Sequence, residues 1–310
     1  MINFYQNNGK GFELAQTWTP KCWVCLECPS GEERKYLIDK LGVPEAFLND
    51  IDDNDERPRR EVEDDDWQMI VIRAPYRRED SLNDYSTVPL GFVFRGDVFV
   101  SVCNFKIDML HDFVTYSVRK QITVANYYEL IMRLMLSSSV WFLKYLKFIN
   151  MQITALEAEL QRFVRNDEII QLQRLGNSLV YFETSLKGND VLFYRMMHTK
   201  KINEVCDEEL TEDVEIELKQ AEETTSIYRN VARSMSSSYS SVISNNINAT
   251  MKRLTSITLI IMFPTLIASL YGMNVPNYME NNNLAFVYII GTSIVLSLVL
   301  FCILRKRNLF

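Results

Sequence analysis

The sequence predicts an α/β domain followed by long helices and two C-terminal helices that cross a membrane. Three observations carry this. The first 120 or so residues mix short β-rich runs with turns. From about Tyr127 onward the chain becomes helix-prone. No charge falls between Arg253 and Glu280, and none between Glu280 and Arg305. Each of these uncharged stretches exceeds the ~20 residues that cross a hydrocarbon core as a helix.

In the N-terminal part, runs at 23–26, 67–73 (WQMIVIR), 88–94 and 97–103 (DVFVSVC) read as strands. Residues 32–41 and 44–51 read as helices between them. Residues 52–66, DDNDERPRREVEDDD, read as a charged loop, with Pro58 excluding a regular helix centre. Cys22, Cys25 and Cys28 form a C-x-x-C-x-x-C cluster. Three thiolates need a fourth ligand, and the chain's two histidines, His111 and His198, lie far off in sequence. The stretch reads as a strand with small buried thiols, and unpaired cysteines fit a reducing compartment.

Residues 127–165 form one long helical stretch, and Gly176 and Gly188 interrupt a second. The absence of Gly and Pro from Asn189 to Phe263 predicts a very long helix running straight into the first span. On it Val214, Leu218, Ala221, Thr225, Tyr228, Ala232, Met235, Tyr239 and Val242 recur at alternating four- and three-residue spacing, a heptad seam. The seam suits either self-assembly or packing on helices of the same chain. The expected divisions are 1–125 (α/β domain), 126–207 (helical hairpin), 208–253 (stalk), 254–274 (first span), 275–283 (outer loop), 284–304 (second span) and 305–310 (basic tail).

Lys252 and Arg253 precede the first span, Arg305-Lys306-Arg307 follow the second, and the intervening loop carries only Glu280. The positive-inside rule places both termini in the cytosol of a multi-pass cell-membrane protein. The N-terminus lacks the apolar run of a signal peptide. A net charge of −7 argues against a nucleic-acid partner. No phosphate-binding loop and no paired nucleophile and base are found, so neither ATP hydrolysis nor another enzymatic activity is expected, and no organic cofactor is implied.

The first span has a polar face. Asn248, Met251, Thr255, Thr258, Met262, Thr265 and Ser269 repeat at four–three spacing, while Ile257, Ile260, Ile261, Phe263, Leu266, Ile267 and Leu270 fill the other faces. Hydroxyls and amides of this kind can hydrogen-bond the water shell of an ion, or pack helix on helix. Two spans cannot enclose an aqueous path alone, so such a path would lie on a symmetry axis between copies of the chain in the bilayer.

The span ends in Tyr271-Gly272-Met273-Asn274. Followed by a second span and a basic tail, this resembles the signature of the CorA-type magnesium transporters, the two-span Gly-Met-Asn metal-ion transporters, and Glu56-Arg57-Pro58-Arg59 resembles a stretch of that family's cytosolic domain. The resemblance covers the whole chain. It implies a funnel-shaped homopentamer and passive, gated passage of a divalent cation, magnesium first, with zinc, cobalt or nickel as alternatives. A membrane-anchored sensor or scaffold that conducts nothing is the reading from another class. The resemblance implies that Asn274 forms a selectivity ring, with Gly272 and Met273 fixing its geometry. It implies a pore line through Asn248, Met251, Leu254, Met262 and Thr265, in which Leu254 and Met262 are apolar constrictions. Glu280 falls where the family's outer-loop acid stands, although the neighbouring proline has moved to Pro276. The resemblance also implies regulatory magnesium at acidic sites. Asp213, with Glu212 and Asp207 from the run at 207–217, is the nominee.

Overall fold

The computed structural model describes residues 1–78, 85–162, 166–273 and 284–307. The chain forms two compact units, residues 1–236 and 237–310.

The first unit is built on a seven-stranded sheet. Its strands are β1 (Ile2–Asn7), β2 (Phe12–Ala15), β3 (Trp23–Glu27), β4 (Arg59–Val62), β5 (Gln68–Arg77), β6 (Tyr85–Arg95) and β7 (Val98–Cys103), in the order β2-β1-β3-β7-β6-β5-β4. Among the described residues, only β3 and β7 pair in parallel. Both faces of the central strands are covered, which is why those strands read as continuous apolar runs. Alternate residues Val24, Leu26, Met69, Val71, Val100 and Val102 face a core closed by α1 (Gly31–Leu41) and α2 (Glu45–Asp52). Helix α1 starts at a capping box, Ser30 with Glu33. Gly91 on β6 lets α2 come close, because a Cβ there would collide with the Ile51 side chain.

The opposite face is covered by α3 (Asp108–Lys120), α4 (Tyr127–Arg162) and α5 (Asn166–Met197). Phe142 of α4 meets Phe182 of α5 edge to face, with ring centroids 4.9 Å apart. Helix α5 is fastened to the sheet by hydrogen bonds. The Asn189 amide pairs with both backbone groups of Arg73 on β5, and the hydroxyls of Ser185 and Thr87 lie 2.7 Å apart.

Three local expectations are corrected. Residues 59–62 form the edge strand β4 instead of continuing the charged loop, because their backbone pairs with β5. Helix α5 runs unbroken through Gly176 and Gly188. At Gly188 a side chain would press on the Pro58 ring, with Cβ 2.9 Å from Cγ, so this glycine serves packing rather than a break. The long helix expected from Asn189 is interrupted after Met197 by a turn and the short α6 (Lys200–Asn203). Neither Gly nor Pro makes that turn. The Thr199 hydroxyl donates back to the Arg195 carbonyl at 3.1 Å at the end of α5, Ile202 is buried in α6, and the Asp207 carboxylate caps α7 by accepting from the Leu210 N–H at 3.4 Å.

Helix α7 (Glu208–Tyr271) then continues without a break and passes through Pro264. Val214, Leu218, Ala221, Thr225 and Ala232 of the heptad seam are buried within the single chain, which favours same-chain packing over a self-assembly zipper for this part. Arg229 of α7 pairs with the buried Glu183 of α5. In the second unit, the last part of α7 is joined by α8 (Ala285–Lys306). Both helices are long and apolar enough to span a membrane, and only 6% and 11% of their most apolar windows are buried. A core helix of a water-soluble domain would be mostly covered.

Candidate ion path

The span part of α7 has two distinct sides. Ser256 is buried, and Ile260, Pro264 and Ile267 are partly buried. These four share one side of a 3.6-residue helix. That side meets α8, where the Ser297 hydroxyl donates to the Ile260 carbonyl at 3.4 Å. The residues nominated as a pore line, Asn248, Met251, Leu254, Thr255, Thr258, Met262, Thr265 and Ser269, are all exposed. They are centred about half a turn away from the side that packs on α8. The second helix of the same chain therefore leaves the polar stripe open.

Hydroxyl chemistry on the stripe follows from the helix. Thr255, Thr258 and Thr265 each donate to the carbonyl four residues back, at 2.8, 2.9 and 2.8 Å. The donor is thereby satisfied inside the helix, and the remaining oxygen lone pairs point outward as acceptors. A stripe of acceptors suits the hydrogens of a cation's hydration shell. The exposed Leu254 and Met262 set apolar steps between them.

At the end of the span the Gly272 N–H still bonds the Ala268 carbonyl at 2.9 Å. A Cβ at Gly272 would lie 3.3 Å from that same oxygen, so a bulkier residue would crowd the helix end. Met273 is exposed. Asn274 and Glu280 lie outside the described residues.

The acidic nominees of the first unit divide. Asp207 and Asp213 open on one cavity of about 550 Å³, together with Glu209 and with Asp112 from α3; Glu212 is exposed and does not line it. Asp112 is held by the Trp141 indole N–H at 3.0 Å, and Asp207 also caps α7. Among the described residues of one chain, no three His, Cys, Asp or Glu side chains converge closely enough to hold a metal. A cation in this cavity would keep most of its own water or draw further ligands from another copy.

In the earlier acidic run four of the nine acids are matched by an arginine. Asp52 pairs with Arg34, Glu56 and Glu61 with Arg59, and Asp65 with Arg95. Arg73 points its guanidinium at the carbonyls of Asn54 and Thr87, at 2.5 and 2.7 Å. Burial lowers its pKa, against the opposing pull of Asp55, Asp53 and Glu56. Of the cysteine cluster, Cys22 and Cys25 are buried and Cys28 is exposed. Burial pushes the Cys25 thiol up to about 12, so it stays protonated among the packed side chains around it.

Sequence reasoning missed the charge network between α5 and α7. Glu183 is buried and pairs with Lys187 at 3.0 Å as well as with Arg229. Glu222, above it on α7, has a raised pKa, first from burial and then from Asp190. The contacts join residues distant in sequence, and no local spacing announces them.

Comparison with known proteins bears on the family and the fold. A family model described as CorA-like Mg2+ transporter protein matches residues 21–306. The cobalt/magnesium transport protein CorA of Methanocaldococcus jannaschii is 26% identical over 291 residues, covering 92% of this chain and 90% of that protein. The complete structure of the CorA magnesium transporter from the same organism superposes with a TM-score of 0.79 at 23% identity, over 100% of this chain and 99% of the other. The full-length CmaX protein gives a TM-score of 0.71 at 15% identity, over 98% and 97%.

Proposed function

This chain belongs to the family of CorA-like Mg2+ transporter proteins, and from that premise we propose that it is a passive, gated magnesium channel of the cell membrane. The observation that carries the reading is the placement of the acceptor stripe on α7 opposite the side that packs on α8. A helix pair of this kind satisfies its lipid-facing needs with Leu and Ile, and has no use for seven aligned polar and thioether positions unless they face water or another copy.

The stripe becomes a pore when copies of the chain surround an axis, and the family resemblance makes the number five. Magnesium sheds water reluctantly. A ring of neutral Asn274 amides holds the hydrated ion by hydrogen bonds, without the deep trap that a ring of carboxylates would make. Leu254 and Met262 close the path by dewetting. The membrane potential drives entry. Each elementary charge gains about 2.3 kcal/mol per 100 mV, so a divalent ion gains about 4.6 kcal/mol. Repulsion among acids such as Asp207 and Asp213 across neighbouring copies opens the assembly when cytosolic magnesium is scarce, and bound magnesium relieves it and closes the assembly. Magnesium is thus both cargo and regulator, and Glu280 concentrates cations at the outer mouth.

The second reading is transport of another divalent metal. Cobalt stands beside magnesium in the name of the Methanocaldococcus relative, and cobalt is accordingly the first competitor; zinc and nickel follow. The deciding experiment is flux into liposomes holding the purified protein, with an imposed potential and a magnesium-sensitive dye inside. Saturable magnesium entry that exceeds cobalt, nickel and zinc entry supports the proposal. Preference for one of the other ions reassigns the cargo, and no flux of any ion leaves the non-conducting scaffold.

A further inference from the structure

The second unit carries a group of cations with no anion to answer them. Between residues 237 and 310 the only acidic side chain is Glu280, which belongs to the segment joining the two spans. The same stretch holds Lys252, Arg253, Arg305, Lys306 and Arg307, all exposed. The pairing of the helices brings these two basic groups level. The Ser297 hydroxyl of α8 donates to the Ile260 carbonyl of α7 at 3.4 Å. With α8 returning along α7, seven residues onward from Ser297 and seven back from Ile260 set Leu304 beside Arg253, at equal rise per residue. Leu304 is buried on that side, as Ser256 is on α7.

Arg253 stands three residues before Ser256, and Arg307 three after Leu304. Both therefore fall toward the sides on which the helices pack. Two guanidinium groups at one seam repel each other. Among the described residues of this unit there is no carboxylate to offset them. Each offers a planar fork that matches two oxygens of a phosphate. Toward the membrane interior the surface turns apolar at once. Leu259, seven residues on from Lys252, and Ile303, four before Arg307, are both exposed. An anion at the seam thus has charge on one side of it and apolar helix surface on the other. Inorganic phosphate has no part that suits the second surface, whereas a phospholipid has its acyl chains.

We infer that this end of the helix pair is a binding seat for an anionic phospholipid, its phosphate bridging Arg253 and Arg307 and its chains running past Leu259 and Ile303. Clusters of four to eight Lys and Arg beside a membrane helix commonly take anionic headgroups, and each chain here supplies five. The inference rests on the membrane setting of the family and not on which ion is carried.

The test uses the purified full-length protein in neutral detergent, with lipid binding read by native mass spectrometry. The probes are phosphatidylglycerol and phosphatidylcholine with identical chains. The variants are Arg253→Gln with Arg307→Gln, and Arg253→Lys with Arg307→Lys; both leave Lys252, Arg305 and Lys306 to hold the topology. Phosphatidylglycerol should bind the unaltered protein saturably and more tightly than phosphatidylcholine. The Gln pair should weaken phosphatidylglycerol about 25-fold, at about fivefold for each basic residue lost, and leave phosphatidylcholine unchanged. The Lys pair should keep most of the affinity. Excess inorganic phosphate at constant ionic strength should not displace the lipid. If the Gln pair fails to assemble, Arg307→Gln alone should show the single loss of about fivefold. Equal affinity for the two lipids, an unchanged affinity for phosphatidylglycerol in the Gln variants, or its displacement by inorganic phosphate overturns the inference.

Discussion

Asn189 of α5 is bound to Arg73 of β5 as one strand is bound to another. Its Oδ1 accepts from the Arg73 N–H at 2.9 Å, and its Nδ2 donates to the Arg73 carbonyl at 2.8 Å. The two residues are 116 apart in sequence, and the side-chain amide stands in for a peptide group. Replacing Asn189 by Ala leaves two partly buried backbone groups unmatched. The expected destabilisation is about 1–3 kcal/mol for each unsatisfied group that water cannot reach. Thermal unfolding of the full-length protein should show a clear fall in melting temperature, while the ion preference of the remaining folded protein stays unchanged. A melting temperature equal to that of the parent would show the pair to be ornamental.

The raised pKa of Glu222 gives a pH prediction. Burial and the neighbouring Asp190 disfavour its ionised form in the folded protein. For an acid whose folded pKa is raised, the stabilising share is present below the unfolded pKa and is lost as pH rises through the folded pKa. Glu222→Gln should therefore raise the melting temperature at neutral pH, and the gain over the parent should shrink as pH falls into the carboxylate range. A gain that is the same across the whole range would rule out ionisation as its cause.

The central strands were legible because β5, β6 and β7 are covered on both faces and consist of apolar runs. Strand β1, with Asn3, Gln6 and Asn7, and the charged edge strand β4 carry no such run, because only their pairing with a neighbour makes them strands. The glycines of α5 misled because glycine can mark close packing, as Gly188 does against Pro58, as readily as a break. The turn before α7 was hidden because it holds no Gly or Pro: the Thr199 hydroxyl closes on the Arg195 carbonyl of α5, and Asp207 caps α7. The stripe on α7 was legible because a helix period maps directly onto its faces. What the period could not tell was which face meets α8, since that depends on residues such as Ser297 in a separate segment.

Topology follows from the basic flanks. Lys252, Arg253 and Arg305-Lys306-Arg307 should all stay on the cytosolic side. A cysteine introduced at position 282 should react with a membrane-impermeant thiol reagent in intact cells, and one at position 308 should not. Reaction at 308 from outside would invert the arrangement.

The two sides of α7 can be distinguished chemically. Cysteines placed singly at Thr258, Met262 and Thr265, in a background with the exposed Cys28 and Cys302 replaced, should make flux sensitive to a water-soluble thiol reagent. Cysteines at Ile260 and Ile267, on the side that packs on α8, should not. The measurement is the fraction of magnesium flux lost after treatment in liposomes, and sensitivity spread evenly round the helix would remove the stripe as the lining.

The most direct measurement is magnesium flux through oligomers of intact size carrying Asn274→Ala, set beside Asn274→Asp. Alanine removes from every copy an acceptor worth about 0.5–1.5 kcal/mol, and more when it serves a charge. Around a ring the loss multiplies, so selective magnesium entry should disappear while assembly and melting temperature hold. Aspartate keeps the oxygens and adds a charge per copy, so it should retain cations but pass them slowly or with broadened selectivity. Normal selective flux through Asn274→Ala would contradict the asparagine ring, and with it the path proposed along α7.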